Sequence, residues 1–370
     1  MKKKILFLIH DLGQGGAEKV LVNLVNNMDC ERFDISVTAI FGGGVNEQFL
    51  KPHIHYHAVF RRMPPGNSHL MKLLTPRQLH TLCVKEHYDI EVAYMEGPAS
   101  RVISGCPDPD TKLITWIHVQ QDSIRRLSGS FRSEAEARKC YDRFDQAVCV
   151  SRYVMDDFTG ILDYRKPCRV LYNTVESEKI LALAAEAAPH LADDGTTRLV
   201  AVGSLKESKG YLRLLRCIRQ LRSDGYPIHL YILGIGPQQQ ELEALCSEYG
   251  IEAQVTFLGY DTNPYKYVAK CDLFVCASFA EGFSTAATEA LIVGTPVCTV
   301  EVSGMKEMLG EHNEYGLVTE NDENALYHGL RKLLDDPALL HHYKLQAALR
   351  GRDFSTQETV RAVEEMLLKL

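Results

Sequence analysis

Apolar residues run along this chain in two alternating rhythms. Short, nearly continuous apolar runs read as strands buried on both faces. Between them, apolar positions recur every three or four residues, as on one face of a helix. In the first half the predicted strands are Lys4–His10, Asp34–Ile40, Ile54–Phe60, Asp89–Tyr94, Lys112–His118, Gln146–Ser151 and Arg169–Tyr172. Between the first two, Val20, Leu21, Leu24, Val25 and Met28 fall on one helical face. After Asn173 comes a helix-prone, Ala-rich stretch, Val175–Leu191, and then a second alternation. Its strands are Leu199–Gly203, Ile228–Leu233, Gln254–Leu258, Leu273–Ala277, Pro296–Val300 and Tyr315–Val318. Strand–helix alternation predicts parallel sheets covered on both sides.

The pattern therefore predicts an α/β protein with two Rossmann-like domains, 1–173 and 174–354, their boundary near residues 173–196. Residues 355–370 read as a terminal helix that packs back on the N-terminal domain. The length of 370 residues agrees, since it exceeds one ordinary core. In open sheets of this kind ligands bind beyond the carboxyl ends of the strands. Two such domains would face one another across a cleft.

Charge narrows the partners. The net charge is −7, but residues 1–172 hold 23 Lys+Arg against 20 Asp+Glu, and residues 173–370 hold 18 against 28. This balance argues against nucleic acid as a partner. The more basic first half suits contact with an anionic membrane or acceptor. No run approaches the ~20 apolar residues of a membrane-spanning helix. The basic-then-apolar start lacks a small-residue cleavage site and reads as a first strand. Eleven dispersed cysteines without a CxxC pair point to reduced thiols and a cytoplasmic setting.

The ends of six strands carry the candidate chemistry. In Ala277-Ser278-Phe279-Ala280-Glu281-Gly282-Phe283-Ser284-Thr285, Ser284 or Thr285 caps a helix that Gly294 ends. Free N–H groups at such a helix start bind anions. Glu281 precedes the helix and Glu289 lies about a turn inside it, so the pair can reach two hydroxyl-bearing parts of one ligand. A second glycine loop, His10-Asp11-Leu12-Gly13-Gln14-Gly15-Gly16-Ala17-Glu18, precedes another helix. Its spacing is not that of a dinucleotide fingerprint, and no acid ends the second strand to hold a ribose. A third, Gly203-Ser204-Leu205-Lys206-Glu207-Ser208-Lys209-Gly210, brings two lysines that can neutralise a diphosphate. Gly234-Ile235-Gly236 and Gly259-Tyr260 end two more strands on the same rim. His118, closing the fifth strand, can donate to a ligand or polarise it.

Other groupings carry less. Asp108-Pro109-Asp110 has the DxD spacing of metal-dependent sugar transferases but reads as a turn. His53, His55 and His57 alternate along one strand face and lack a further zinc ligand. Arg61, Arg62, Arg125 and Arg126 are candidates for touching an acceptor or lipid headgroups; Arg132 belongs with them.

Over nearly its whole length the chain resembles the family-4 retaining glycosyltransferases of GT-B fold, in the branch that builds bacterial capsules and exopolysaccharides. The resemblance rests on Gly15-Gly16-Ala17-Glu18, Trp116-Ile117-His118, Val150-Ser151 and Leu171-Tyr172-Asn173-Thr174-Val175. It continues in Val202-Gly203 with Lys209-Gly210, Gly234-x-Gly236-Pro237, Phe257-Leu258-Gly259 and Glu281-Gly282-Phe283 followed by Glu289-Ala290. It implies a nucleotide-sugar donor, a UDP-sugar, and no metal or other cofactor. By the same resemblance Glu281 holds the donor sugar's hydroxyls and Glu289 the ribose. Ser284, Thr285 and Lys209 hold the diphosphate, and Gly16 approaches phosphates. His118 contacts the sugar and Tyr260 lies near the base; Gly282 and Phe283 belong to the Glu281 element. The chain departs from the family at Ser204, where an arginine is usual and Lys206 is the substitute. Val119-Gln120-Gln121-Asp122 also replaces the Asp that often follows the histidine.

The implied reaction transfers a hexose or N-acetylhexosamine to a saccharide or lipid-linked acceptor at the cytoplasmic face of the membrane. Two rivals fit the same architecture: a nucleotide-sugar epimerase, which needs no acceptor, and a nucleotide-sugar-binding subunit without catalysis.

Overall fold

The structure is a computed structural model and describes residues 2–13, 15–64, 66–191, 194–302 and 304–370. Gln14 of the second glycine loop lies outside the described residues. The chain divides into two compact units: Met1–Val175 with Thr356–Leu370, and Glu176–Ser355.

The first unit is built on seven parallel strands: β1 (Lys3–Ile9), β2 (Phe33–Phe41), β3 (His55–Phe60), β4 (Ile90–Tyr94), β5 (Lys112–Ile117), β6 (Gln146–Cys149) and β7 (Cys168–Val170). They lie in the order β3-β2-β1-β4-β5-β6-β7. Ile5 to Ile9 of β1 are fully buried. This is why the run reads as unbroken apolar residues: helices cover both faces. Burying each such side chain contributes roughly 1.5–3 kcal/mol. The sheet reverses its winding between β1 and β4, a switch point where ligands collect in this architecture.

The second unit repeats the plan with β8 (Thr197–Val202), β9 (Ile228–Leu233), β10 (Val255–Gly259), β11 (Leu273–Cys276), β12 (Val297–Val300) and β13 (Leu317–Thr319). These too are parallel, in the order β10-β9-β8-β11-β12-β13. Its core joins Leu199, Leu230, Ile232 and Val275 of the sheet to Leu214, Ile218 and Leu221 of the helix Tyr211–Ser223. Its switch point lies between β8 and β11.

Each predicted strand has its counterpart, with ends displaced by at most two residues. The displacements matter at the rim. β5 stops at Ile117, so His118 is the first residue of the following loop, and β8 stops at Val202, leaving Gly203 outside the sheet. The helix expected over Val175–Leu191 spans only Ser177–Ala184. Pro189, which cannot continue a helix, lies shortly beyond that end.

The helix Thr356–Leu368 belongs to the first unit. Thr356 Oγ1 donates to the Val175 carbonyl at 2.8 Å, Lys3 Nζ to the Leu367 carbonyl at 3.0 Å, and the Asp29 N–H to Glu364 Oε1 at 2.6 Å.

Candidate functional site

Chemistry-bearing side chains gather at the carboxyl ends of the strands beside both switch points. In the second unit, β8 leads through a short turn, Glu207–Lys209, into the helix Tyr211–Ser223. Gly210 joins them at φ +68°, and a Cβ there would lie 1.9 Å from the Ala277 carbonyl oxygen. Only glycine lets this loop press against the end of β11. Arg213, 3% exposed, fixes the same corner by donating to the carbonyls of Ala277 and Ser278, both at 2.7 Å, and to Asn321 Oδ1 at 2.8 Å.

This packing brings Lys209 and Glu281 together. Lys209 Nζ lies 2.6 Å from Glu281 Oε1, and Ser278 Oγ donates to the same oxygen at 2.6 Å. The carboxylate is 11% exposed and the lysine 29%. Two residues expected to hold different parts of a ligand thus hold each other, within a crevice that Tyr211 and Ser284 also line. Ser284 caps the helix Thr285–Ile292, its Oγ accepting from the Ala287 N–H at 3.3 Å. The first-turn N–H groups that the helix cannot satisfy point outward from there, an anion site by geometry and dipole. Phe283 is buried, its ring tilted against that of Phe354 at 5.8 Å.

Farther along the rim, Tyr265 donates to Glu289 Oε1 at 3.1 Å. Tyr260, 71% exposed, follows Gly259 at the end of β10 and presents a free ring face. Gly234 sits at φ +140°, and a Cβ there would lie 1.9 Å from the Gly203 carbonyl, so the two loops meet backbone to backbone. Gly236 packs against Leu205 in the same way. Ser204 and Lys206 are exposed, and Lys206 has no ion-pair partner among the described residues.

In the first unit, Gly16 opens the helix Gly16–Asn27 and its Cα faces open space. Beside it burial holds the Glu18 carboxyl above its usual range. His118 is 6% exposed, and its ring packs on Tyr94 at 4.7 Å and on Trp116 at 6.4 Å. Burial pushes its pKa down to about 3, so the imidazole is neutral. Its Nε2 is a buried polar atom with no hydrogen-bond partner, the kind that invites a ligand.

Beneath the histidine lies an acid that the sequence reading passes over. Glu96 follows β4, and its Oε2 accepts from the His118 N–H at 2.9 Å while Gln121 Nε2 donates to Oε1 at 3.2 Å. Burial raises its pKa. Met95 just before it has φ +99°, a costly conformation for a side chain of this kind. Asp157 holds the same loop by accepting from the Gln121 N–H at 2.7 Å.

The remaining groupings resolve otherwise. Asp108 Oδ1 accepts from the Asp110 N–H at 2.9 Å and Oδ2 lies 2.9 Å from His87, so Asp108-Pro109-Asp110 is a turn. His53 precedes β3 and His55 lies 3.2 Å from Asp34; no three-ligand cluster forms there among the described residues. Arg61, Arg62, Arg125 and Arg126 are exposed, and Arg126 pairs with Asp122 at 2.9 Å.

Two parallel sheets, each wound about its own switch point, with glycines and a helix start beside each and a lysine beside the second, are the paired Rossmann-like sheets of the GT-B fold. HepE of Anabaena, solved in complex with UDP, superposes with a TM-score of 0.80 at 20% identity, covering 100% of both chains. The chain belongs to glycosyltransferase family 4. Residues 14–179 match the Glycosyltransferase Family 4 model, and residues 184–350 match the model for Glycosyl transferases group 1. Over 376 residues it is 28% identical to a Campylobacter jejuni protein, the N-acetylgalactosamine-N,N'-diacetylbacillosaminyl-diphospho-undecaprenol 4-alpha-N-acetylgalactosaminyltransferase. That match spans 99% of this chain and 100% of the relative. The lipopolysaccharide core biosynthesis glycosyltransferase LpsD of Rhizobium meliloti is 24% identical across 90% of this chain and 88% of its own.

Proposed function

We propose that this protein transfers a hexose or N-acetylhexosamine from a UDP-sugar to a saccharide or lipid-linked saccharide during cell-surface polysaccharide assembly, with retention of configuration and without a metal. The observation that carries the reading is the Lys209–Glu281–Ser278 cluster beside the Ser284-capped helix. A leaving diphosphate needs cations and amide hydrogens, and a donor sugar needs a carboxylate for its hydroxyls; this corner supplies all three. The UDP of the HepE complex and the lipid-linked saccharide acceptor in the Campylobacter enzyme's name support donor and acceptor class.

In the proposed reaction the bond from anomeric carbon to diphosphate breaks and the acceptor oxygen bonds on the same face. The departing phosphate oxygen takes the acceptor's proton. Lys209 and the helix-start amides stabilise the charge that grows on the leaving group. Neutral His118 offers its ring nitrogen to a sugar hydroxyl. Tyr260 stacks on the base, and Glu289 takes the ribose.

The protein works at the cytoplasmic face of the membrane. Exposed Arg61, Arg62, Arg125 and Arg126, with Met63, Leu70 and Leu73 also exposed, suit an anionic bilayer surface. No helix among the described residues is long and apolar enough to cross a membrane.

The test is a panel of UDP-sugars offered with and without a lipid-linked acceptor, products read by mass spectrometry and anomeric NMR. One donor is expected to be consumed only with acceptor, giving a product of unchanged anomeric configuration. Brief assays in excess EDTA should proceed at full rate; activity lost there and restored by manganese would overturn metal independence. Donor conversion without acceptor would indicate the epimerase, and UDP binding without any turnover the binding subunit. Vesicle flotation with anionic lipid tests the membrane contact.

A further inference from the structure

A second cluster lies away from the rim. Glu91 is the second residue of β4, His80 sits on the helix Pro76–Cys83, and Cys106 lies in the turn that follows the helix Pro98–Ile103. The three are 2%, 6% and 1% exposed. His80 Nε2 lies 2.8 Å from Glu91 Oε2, and Cys106 Sγ lies 3.7 Å from Glu91 Oε1. One donor atom from each residue falls within 4.8 Å of the others, the only group of three such residues among those described.

We propose that His80, Glu91 and Cys106 form a structural site for a zinc-class divalent cation, unconnected with sugar transfer. The inference does not rest on the transferase reading. The donor set is one imidazole nitrogen, one carboxylate oxygen and one thiolate, each a ligand type that zinc takes. Zinc bonds of about 2.0–2.3 Å place tetrahedral donors roughly 3.3–3.8 Å apart. The 2.8 Å spacing of His80 and Glu91 must open by about half an ångström, and a spacing as wide as 4.8 Å must close by about one, to reach that range. The Asp108 carbonyl, 3.8 Å from Cys106 Sγ, is a candidate fourth ligand. The turn at Asp108-Pro109-Asp110 sets that carbonyl, while the Asp108 side chain is spent on His87 and the Asp110 N–H.

Charge supports the assignment. Binding forms metal–nitrogen, metal–oxygen and metal–sulfur bonds; the proton between Nε2 and Oε2 and the thiol proton leave to solvent. One carboxylate and one thiolate then balance the two charges of the cation, so the buried cluster ends neutral. The cation replaces the hydrogen bonds that Glu91 makes with His80 and Cys106, and ties the same helix, central strand and turn together through metal–ligand bonds.

The experiment is a titration of the full chain, prepared metal-free, with Co²⁺. One equivalent should produce a thiolate-to-cobalt charge-transfer band in the near ultraviolet, and Zn²⁺ should bleach it and raise Tm. Cys106→Ser should abolish the band and the Tm rise while leaving the circular dichroism unchanged. Cys30→Ser, which removes an exposed thiol, should change neither. No band in the parent protein at one equivalent overturns the site. So does an undiminished band in Cys106→Ser. If that variant does not fold, the parent titration still decides, together with zinc per chain by elemental analysis of the protein as isolated. A parent without band and without zinc holds no such site. Sugar transfer is not read at any point, so this result and that of the donor panel stand apart.

Discussion

The two units each place a Glu-Gly pair after the fourth strand of their sheet, and use it differently. Glu96-Gly97 follows β4 and Glu281-Gly282 follows β11. Glu281 faces a lysine and a hydroxyl, Lys209 and Ser278. Glu96 faces the backbone N–H of His118 and the amide of Gln121. The first carboxylate sits in an ion pair; in the proposed reaction an incoming diphosphate opens it, freeing lysine for phosphate and carboxylate for sugar. The second is a brace, spent on holding a neutral histidine in place. The same position in one fold carries an ion pair in one unit and a hydrogen-bonded brace in the other. The neighbouring charges decide which.

This contrast predicts a graded set of effects. Lys209→Ala should lower turnover by about 10- to 100-fold, because a charge-assisted contact at the leaving group is lost. Steady-state UDP release measures it, and unaltered kinetics would remove Lys209 from the site. Glu96→Gln should cost roughly tenfold in kcat with little change in KM, since a displaced catalytic group slows reaction more than binding. UDP affinity by calorimetry should stay at the parental value in this variant. If it drops as far as in Lys209→Ala, the division of roles between the two acids fails.

The histidine gives a third, smaller effect. Its folded pKa is depressed to about 3, below the unfolded value of about 6.5. Between those values the unfolded chain binds a proton that the folded one refuses, so stability falls as pH drops. The loss is at most about 1.4 kcal/mol per pH unit. Urea denaturation at pH 6.5 and pH 5 should show a shallower fall in His118→Gln than in the parent; equal slopes would mean the ring is not held neutral. Smallest, Tyr265→Phe should weaken UDP binding by about two- to tenfold through the lost bond to Glu289, read from competition with a fluorescent nucleotide.

Much of the architecture is legible in the chain because a parallel sheet with both faces covered demands unbroken apolar runs. Runs such as Ile5–Ile9 and Ile228–Leu233 leave little other reading. Loops containing several small or charged residues in succession, such as the one from Ala277 to Thr285, announce themselves too. What stays hidden depends on contacts between distant positions. Nothing local says that Lys209 and Glu281 touch, 72 residues apart. Nor does any local pattern show that Arg213 ends at the carbonyls of Ala277 and Ser278, just past β11. Glu96 is illegible for a similar reason: it reaches His118 only because β4 and β5 pair with Tyr94 opposite Trp116. The three alternating histidines form no cluster among the described residues, as the missing further ligand implied, and β3 begins at His55 with His53 outside it.

The helix Thr356–Leu368 closes the first unit although most of that unit is encoded before residue 176. The second unit is therefore an insertion in the first. On the ribosome the usual order, N-terminal domain first, is incomplete here. Residues 1–175 wait with the ledges around Lys3 and Asp29 uncovered until residues 356–368 have been made, and the inserted unit can complete its own core in the interval. A chain stopped near residue 350 would lose nothing from the second sheet's strands and would still injure the first.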